Sequence, residues 1–512
     1  MSKTTSSGPA PVAGRFASRS MTQPFTQAHK PARAWQLTLL GALLPALGWA
    51  QPDAASPPAG PEQRIPAFSG PTRIPSPADS TLSTGIELPT GKAITPTAAA
   101  GAVFQDLDPG HPEAPDMRAG QAANQAISPD GKLLAILTSG YNLYMGTDGK
   151  PIPNLSTEYV FLFDISAATP VKHQVIPLPN TFEGLSWSPS SQQLYVSGGS
   201  DDRVLEFVRQ GDTFTAGRVF PLNHPACAGL NLPTTPKFWL NYPTPTTMTM
   251  RRCGPVTGAL AVSPDGKQLL VANIQNDSVS LIDLSSGKVV FEQDLRPGII
   301  DPHHHGEPGG TYPRSVVWTS PTRAYVASER DREVIALDVS NTRLHVRKRM
   351  SVRGQPIALL ANSSGSRLFA TLDSNRVVVF EIPRNRMLES FDVVAPPNVY
   401  DNTRMLGGGN TDALALTPDG RTLLASNGGQ NSIAVVRLSD RASGLVAARG
   451  SDPDGDGDDD GDDGSSPGEP RHSAVVGLVP TGRYPTAVAT SKDEIGRASC
   501  RKECRSRWSP YH

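Results

Sequence analysis

Aromatic residues are scarce, at 6% of 512 residues, and cysteine is scarcer, with four in the chain. So few cysteines exclude a disulfide-dense scaffold. Neither charge sign dominates: 47 Lys and Arg stand against 48 Asp and Glu. That balance gives no ground for a nucleic-acid or anionic-membrane partner. No run approaches the ~20 apolar residues of a membrane helix. Cys-x-x-Cys-His is absent, which excludes covalently attached c-type haem. Gly-x-Ser-x-Gly and Gly-x-x-x-x-Gly-Lys-Ser/Thr are absent too, and with them the strained serine elbow and the phosphate-cradling loop. Gly and Pro are plentiful, at 47 and 49, but below the level of outright low complexity. The length allows several domains, or one large all-β domain with tails.

Both ends differ from the middle. Residues 1–50 hold no Asp or Glu, and Lys30 and Arg33 precede the apolar run Leu37–Leu47. Small residues Gly48 and Ala50 then stand at the −3 and −1 positions before Gln51, a signal-peptide layout with Met21 as the expected start. An uncleaved anchor is the alternative. Residues 51–84 are rich in Pro, Ala, Ser and Gly and read as a disordered linker. The tail 494–512 resembles the translation of a sequencing adapter, so it is expected to be an artefact that cuts the natural chain after Asp493. Without 1–50 and the tail, 37 basic and 46 acidic residues remain, a net of −9. Cys227 and Cys253 are then the only cysteines, and in an exported chain they are a candidate disulfide, with two free thiols as the alternative.

Between residues 85 and 493 one theme recurs: an apolar strand, a Ser-Pro-Asp-Gly turn, a second apolar strand, a polar turn, then a strand ending near Asp. Copies include Ala126-Ile-Ser-Pro-Asp-Gly131, Leu260-Ala-Val-Ser-Pro-Asp-Gly266 and Ala413-Leu-Ala-Leu-Thr-Pro-Asp-Gly420. Pro fixes φ, and Gly accepts the positive φ that such a turn needs. Six copies are complete and a seventh starts at Pro485. Four-stranded units that cannot bury both faces alone must stack. The expectation is an all-β, seven-bladed β-propeller with four-stranded antiparallel blades, its last blade truncated to the innermost strand. The free edge is expected at 485–490, with 85–105 pairing to the end of that blade.

The segment Asn273-Ile-Gln-Asn-Asp-Ser-Val-Ser-Leu-Ile-Asp-Leu284 resembles the YVTN/YncE-type propeller repeat, and Gly477-Leu-Val-Pro-Thr-Gly-Arg-Tyr-Pro-Thr-Ala-Val488 is similar to that family's join between blades. Segments such as Leu88-Pro-Thr-Gly and Asp294-Leu-Arg-Pro-Gly298 extend the resemblance to exported proteins in which a YncE-like propeller precedes an alkaline-phosphatase-superfamily phosphoesterase domain. The resemblance implies a periplasmic or secreted binding or scaffold module, with phosphoesterase activity in a domain that follows in cis. The rival expectation is an enzyme with its own active site at the propeller mouth, lactonase-like or another hydrolase. Enzymatic status is open on the sequence alone.

Ligand-binding candidates stand just before the innermost strands: Glu183, Tyr312, Arg314, Gln355, Asp412, Arg483 and Tyr484. Their mixed charge and aromatic character suits a small polar ligand or a protein partner; solvated loop ends are the alternative. Within the acidic insert 450–470, Asp452, Asp454, Asp456, Asp460 and Asp463 occupy positions 1, 3, 5, 9 and 12 of an EF-hand-type loop, with Gly457 at position 6. Ca²⁺ is therefore the candidate cofactor, with a solvated insert as the alternative. His303, His304 and His305 are expected in an exposed loop between blades. Neither a nucleic-acid partner nor a membrane span after signal cleavage is expected.

Overall fold

The computed structural model describes residues 86–87, 93–94, 103–139, 144–146, 148, 150, 152, 155–167, 169–224, 256–395, 408–444, 472–492, 495–500 and 505–510. The signal region, the whole linker 51–84, Cys227, Cys253 and the acidic insert 450–470 lie outside the described residues.

Each repeat folds as a four-stranded antiparallel meander, with strands a to d counted outward from the innermost. Blade 1 spans 122–178, blade 2 185–221, blade 3 257–294, blade 4 313–351, blade 5 356–392 and blade 6 411–480. The Ser-Pro-Asp-Gly segments form the a–b turns. Ser263 Oγ donates to Asp265 Oδ1 at 2.6 Å and accepts from the Gln268 N–H at 3.0 Å, and Gly266 takes φ +72°. The same constellation recurs at Ser128-Asp130-Gly131 and Thr417-Asp419-Gly420.

Strand b is buried on both faces, as in Leu133–Thr138 and Gln268–Asn273. Such strands need an apolar partner on either side, and the neighbouring blades supply it. Leu137, Val160 and Leu162 of blade 1 pack with Trp187, Leu194 and Phe214 of blade 2. Equivalent clusters join blades 2 and 3, 3 and 4, 4 and 5, 5 and 6, and 6 and 7. Two tryptophans tie neighbouring innermost strands: Trp187 Nε1 donates to the Ala126 carbonyl at 3.1 Å, and Trp318 Nε1 to that of Ala261 at 2.9 Å.

Blade 7 closes the ring. Its innermost strand Pro485–Thr490 touches those of blades 6 and 1. It does not end as a free edge, contrary to the expectation above. Pro485–Thr490 pairs with Ile495–Cys500, which pairs with Arg505–Pro510, and Val103–Asp106 completes the sheet from the N-terminal side. The sheet therefore has four strands, two of them drawn from 494–512. The physical reason is that a strand edge is a row of main-chain donors and acceptors, which any extended segment within reach can satisfy. The N-terminal pairing expected of 85–105 is made by Val103–Asp106, while Ile86–Glu87 and Ala93–Ile94 form a separate two-stranded ladder. Leu107, Ala114, Met117 and Ala119 then cover the apolar flank of blade 1.

Candidate functional site

One end of the ring carries the a–b and c–d turns; the other carries the b–c turns and the starts of the innermost strands. The second end is the mouth. Its backbone is set by a repeated corner. In four blades a residue with positive φ in the b–c turn offers its side-chain oxygen to a backbone N–H beyond the outermost strand: Asp277, Asn375 and Asn431 to one just before the next blade, and Asp202 to that of His224, which follows strand d of its own blade. Asp277 Oδ1 accepts from Tyr312 N at 2.9 Å, and Asn431 Oδ1 accepts from Tyr484 N at 2.9 Å. Asn and Asp tolerate the left-handed region better than other side chains. Burial pushes the Asp277 carboxyl above its usual range.

These corners place the candidates. Glu183 and Arg314, from blades 2 and 4, form an ion pair at 2.5 Å that passes blade 3. Arg314 also lies 3.7 Å from Glu329 and over the Phe182 ring at 5.6 Å. Burial raises the Glu329 pKa even though Arg314 and Arg330 oppose it. Tyr312 sits at φ +59° under the Arg330 guanidinium, which is 4.4 Å from its ring centroid. Tyr484, at φ +54°, lies with Asp412 around Gly428, where a Cβ would be 2.8 Å from the tyrosine ring and 2.7 Å from Asp412 Oδ2. Gln355 is held through its backbone N–H, which donates to Asp373 Oδ1 at 2.8 Å. Arg483 is exposed beside Tyr484. The structure thus joins Glu183 to Arg314 and Asp412 to Tyr484. Phe182, Glu329 and Asp373 join them as mouth residues that the sequence reading had not put forward.

At the same end, between blades 2 and 3, lies a second polar cluster. His224 is buried; its Nδ1 is 2.6 Å from Asp202 Oδ1, and its Nε2 is 3.0 Å from Glu292 Oε1. Asn276 and Ser278 donate to the same Glu292 oxygen. Burial alone would depress the imidazole pKa, but the two carboxylates outweigh it and push it up to about 9. His224 is an imidazolium between two anions and locks two blades together.

The aspartates at 452, 454, 456, 460 and 463 and the Cys227/Cys253 pair lie outside the described residues. The three histidines stand in an exposed loop between blades 3 and 4, with His304 Nδ1 2.9 Å from Glu307. Among the described residues no three His, Cys, Asp or Glu side chains converge as a metal site, and no helix is long and apolar enough to cross a membrane.

Residues 251–451 match the family model described as "Lactonase, 7-bladed beta-propeller". No curated protein matches the chain. Among solved structures, that of U3-55K is similar with a TM-score of 0.51 at 10% identity, over 80% of this chain and 99% of that one. Hydrazine synthase of Kuenenia stuttgartiensis aligns with a TM-score of 0.48 at 16% identity, over 78% of this chain and 94% of that one. At 10% identity the likeness to U3-55K speaks for fold alone and leaves function to the site. The chain is a seven-bladed β-propeller, similar over 251–451 to the family described as lactonase.

Proposed function

We propose that the chain is the binding module of an exported protein, recognising a small polar ligand or a protein segment at the propeller mouth. The observation that carries this reading is the Glu183–Arg314–Glu329 bridge. It commits Arg314 to two carboxylates from different blades and fixes it over Phe182. Such a platform orients a ligand through pre-paired charges and flanking aromatic rings. A YncE-like module followed in cis by a phosphoesterase domain accounts for the sequence resemblance, and the signal layout of residues 1–50 supports periplasmic or secreted placement. In this reading Cys227 pairs with Cys253.

A thermal-shift screen of free amino acids, dipeptides and monosaccharides tests the binding role. At least one is expected to raise the melting temperature of the native chain, and the shift is expected to vanish in Arg314→Ala and Gly428→Ala. A hit unmoved by both variants, or no hit at all, would overturn the assignment. The second reading, a lactonase-like hydrolase working at the same mouth, is favoured by the family match over 251–451.

A further inference from the structure

Charge is balanced over the whole chain but not on the rim opposite the mouth. There, in blades 4 to 6, arginines outnumber the carboxylates that serve them. Asp338 is shared by Arg323 at 3.1 Å and Arg347 at 3.2 Å. The buried Glu381 is shared by Arg384 at 2.9 Å and Arg386 at 3.3 Å. Arg343, Arg437 and Arg441 are exposed and, among the described residues, have no carboxylate at ion-pair distance. Two hydrogen bonds carry the crescent from blade to blade. Lys348 Nζ of blade 4 donates to the Asn385 carbonyl of blade 5 at 3.1 Å, and Arg367 Nε of blade 5 donates to the Arg441 carbonyl of blade 6 at 2.9 Å. Burial lowers the Arg367 pKa; Glu381 opposes the shift and Arg441 adds to it.

The choice of arginine over lysine is informative. A guanidinium presents a rigid fork of donors that matches a carboxylate in two contacts. On Asp338 and Glu381 the rim sets two arginines on one carboxylate, each through a single contact, so it has more forks than acids. The missing acid is nearby in the chain. The c–d connection of blade 6 leaves this rim after Gly444 and rejoins it at His472, with 27 residues between them. Eight of the twelve residues from Asp452 to Asp463 are aspartate. From Gly444 to Asp452 is eight residues, a reach of at most about 29 Å, ample to bring the run over Arg437 and Arg441.

We propose that the cationic crescent of blades 4 to 6 is the docking surface of the chain's own acidic run, Asp452–Asp463. Single exposed ion pairs are weak and screened by salt. Many of them held in one chain act at high effective concentration and add up.

The test uses the full chain and a variant whose eight aspartates at 452–463 are asparagine. The probe is a fluorescent peptide of residues 450–465, read by anisotropy at low and high salt. The asparagine variant is expected to bind the peptide about tenfold or more tighter than the native chain, whose rim is already occupied, with the affinity falling at high salt. Adding Arg343→Ala, Arg437→Ala and Arg441→Ala to that variant is expected to abolish binding without moving the melting temperature, since all three side chains are exposed. In the native chain, zero-length carbodiimide coupling is expected to join Lys348 to a carboxylate of 452–463. Equal binding by the native and asparagine chains would overturn the proposal, as would binding that survives loss of the three arginines. An asparagine variant that takes up phosphatidylglycerol vesicles but not the peptide would overturn it in favour of a lipid surface.

Discussion

Replacing His224 by Gln removes the one cation buried between Asp202 and Glu292 while keeping a side chain of similar reach. The native imidazole is raised from 6.5 to about 9 by its two carboxylates. A rise of that size corresponds to roughly 3 kcal/mol of linkage stability. Because the folded-state pKa lies above the unfolded one, the contribution is complete below pH 6.5 and drains away as pH climbs through 9. At pH 8 little more than about 1 kcal/mol should remain. The assay is equilibrium urea unfolding of native and His224→Gln chains at half-unit steps from pH 6 to pH 10. The native advantage is expected to be largest at pH 6 and to vanish near pH 10. A difference between the two chains that stays constant over that range would refute the reasoning, because it would mean that packing, not the imidazolium, carries the effect.

Other expectations follow from single contacts. Arg218→Ala strands the buried carboxylate of Glu206, which Arg218 holds through two contacts at 2.9 Å and Tyr195 through one at 3.1 Å. It should cost about 3 kcal/mol at neutral pH. Burial raises the Glu206 pKa but Arg218 more than reverses this, so the deficit should shrink as pH falls below 4.5, read as converging urea midpoints. Gly310→Ala sets a Cβ 2.0 Å from the Leu295 carbonyl oxygen at a φ of +76°. It should lower stability by at least about 2 kcal/mol, whereas Gly420→Ala, with open space around it, should suffer only the φ penalty; equal losses would contradict the steric account.

The repeat was legible because its signals are local. Ser128, Ser263 and Thr417 each serve an Asp two residues on and a backbone N–H five residues on, so each turn can be read from six consecutive letters. The mouth candidates were legible by position, within two residues of the start of an innermost strand, although Arg314 and Asp412 prove to be the second residues inside theirs; their partners were not legible. Arg314 meets a carboxylate of blade 2, and His224 meets Asp202 and Glu292 at separations of 22 and 68 residues. Nothing in local spacing signals such pairings. The filled seventh blade was missed for a different reason: β-ladders are made by the main chain, so strand pairing at an edge is nearly indifferent to which side chains arrive. The arginine surplus was hidden by a whole-chain sum in which the acidic insert cancels the rim.

The most direct test of the binding role is turnover by the purified chain of a γ-lactone and of p-nitrophenyl phosphate, with and without added Ca²⁺ or Zn²⁺, alongside Glu183→Gln and Arg314→Ala. A binding module should give no rate above the protein-free control with either substrate, and identical traces for all three proteins. Turnover by the native chain that disappears in Glu183→Gln would contradict the account and make the mouth an active site.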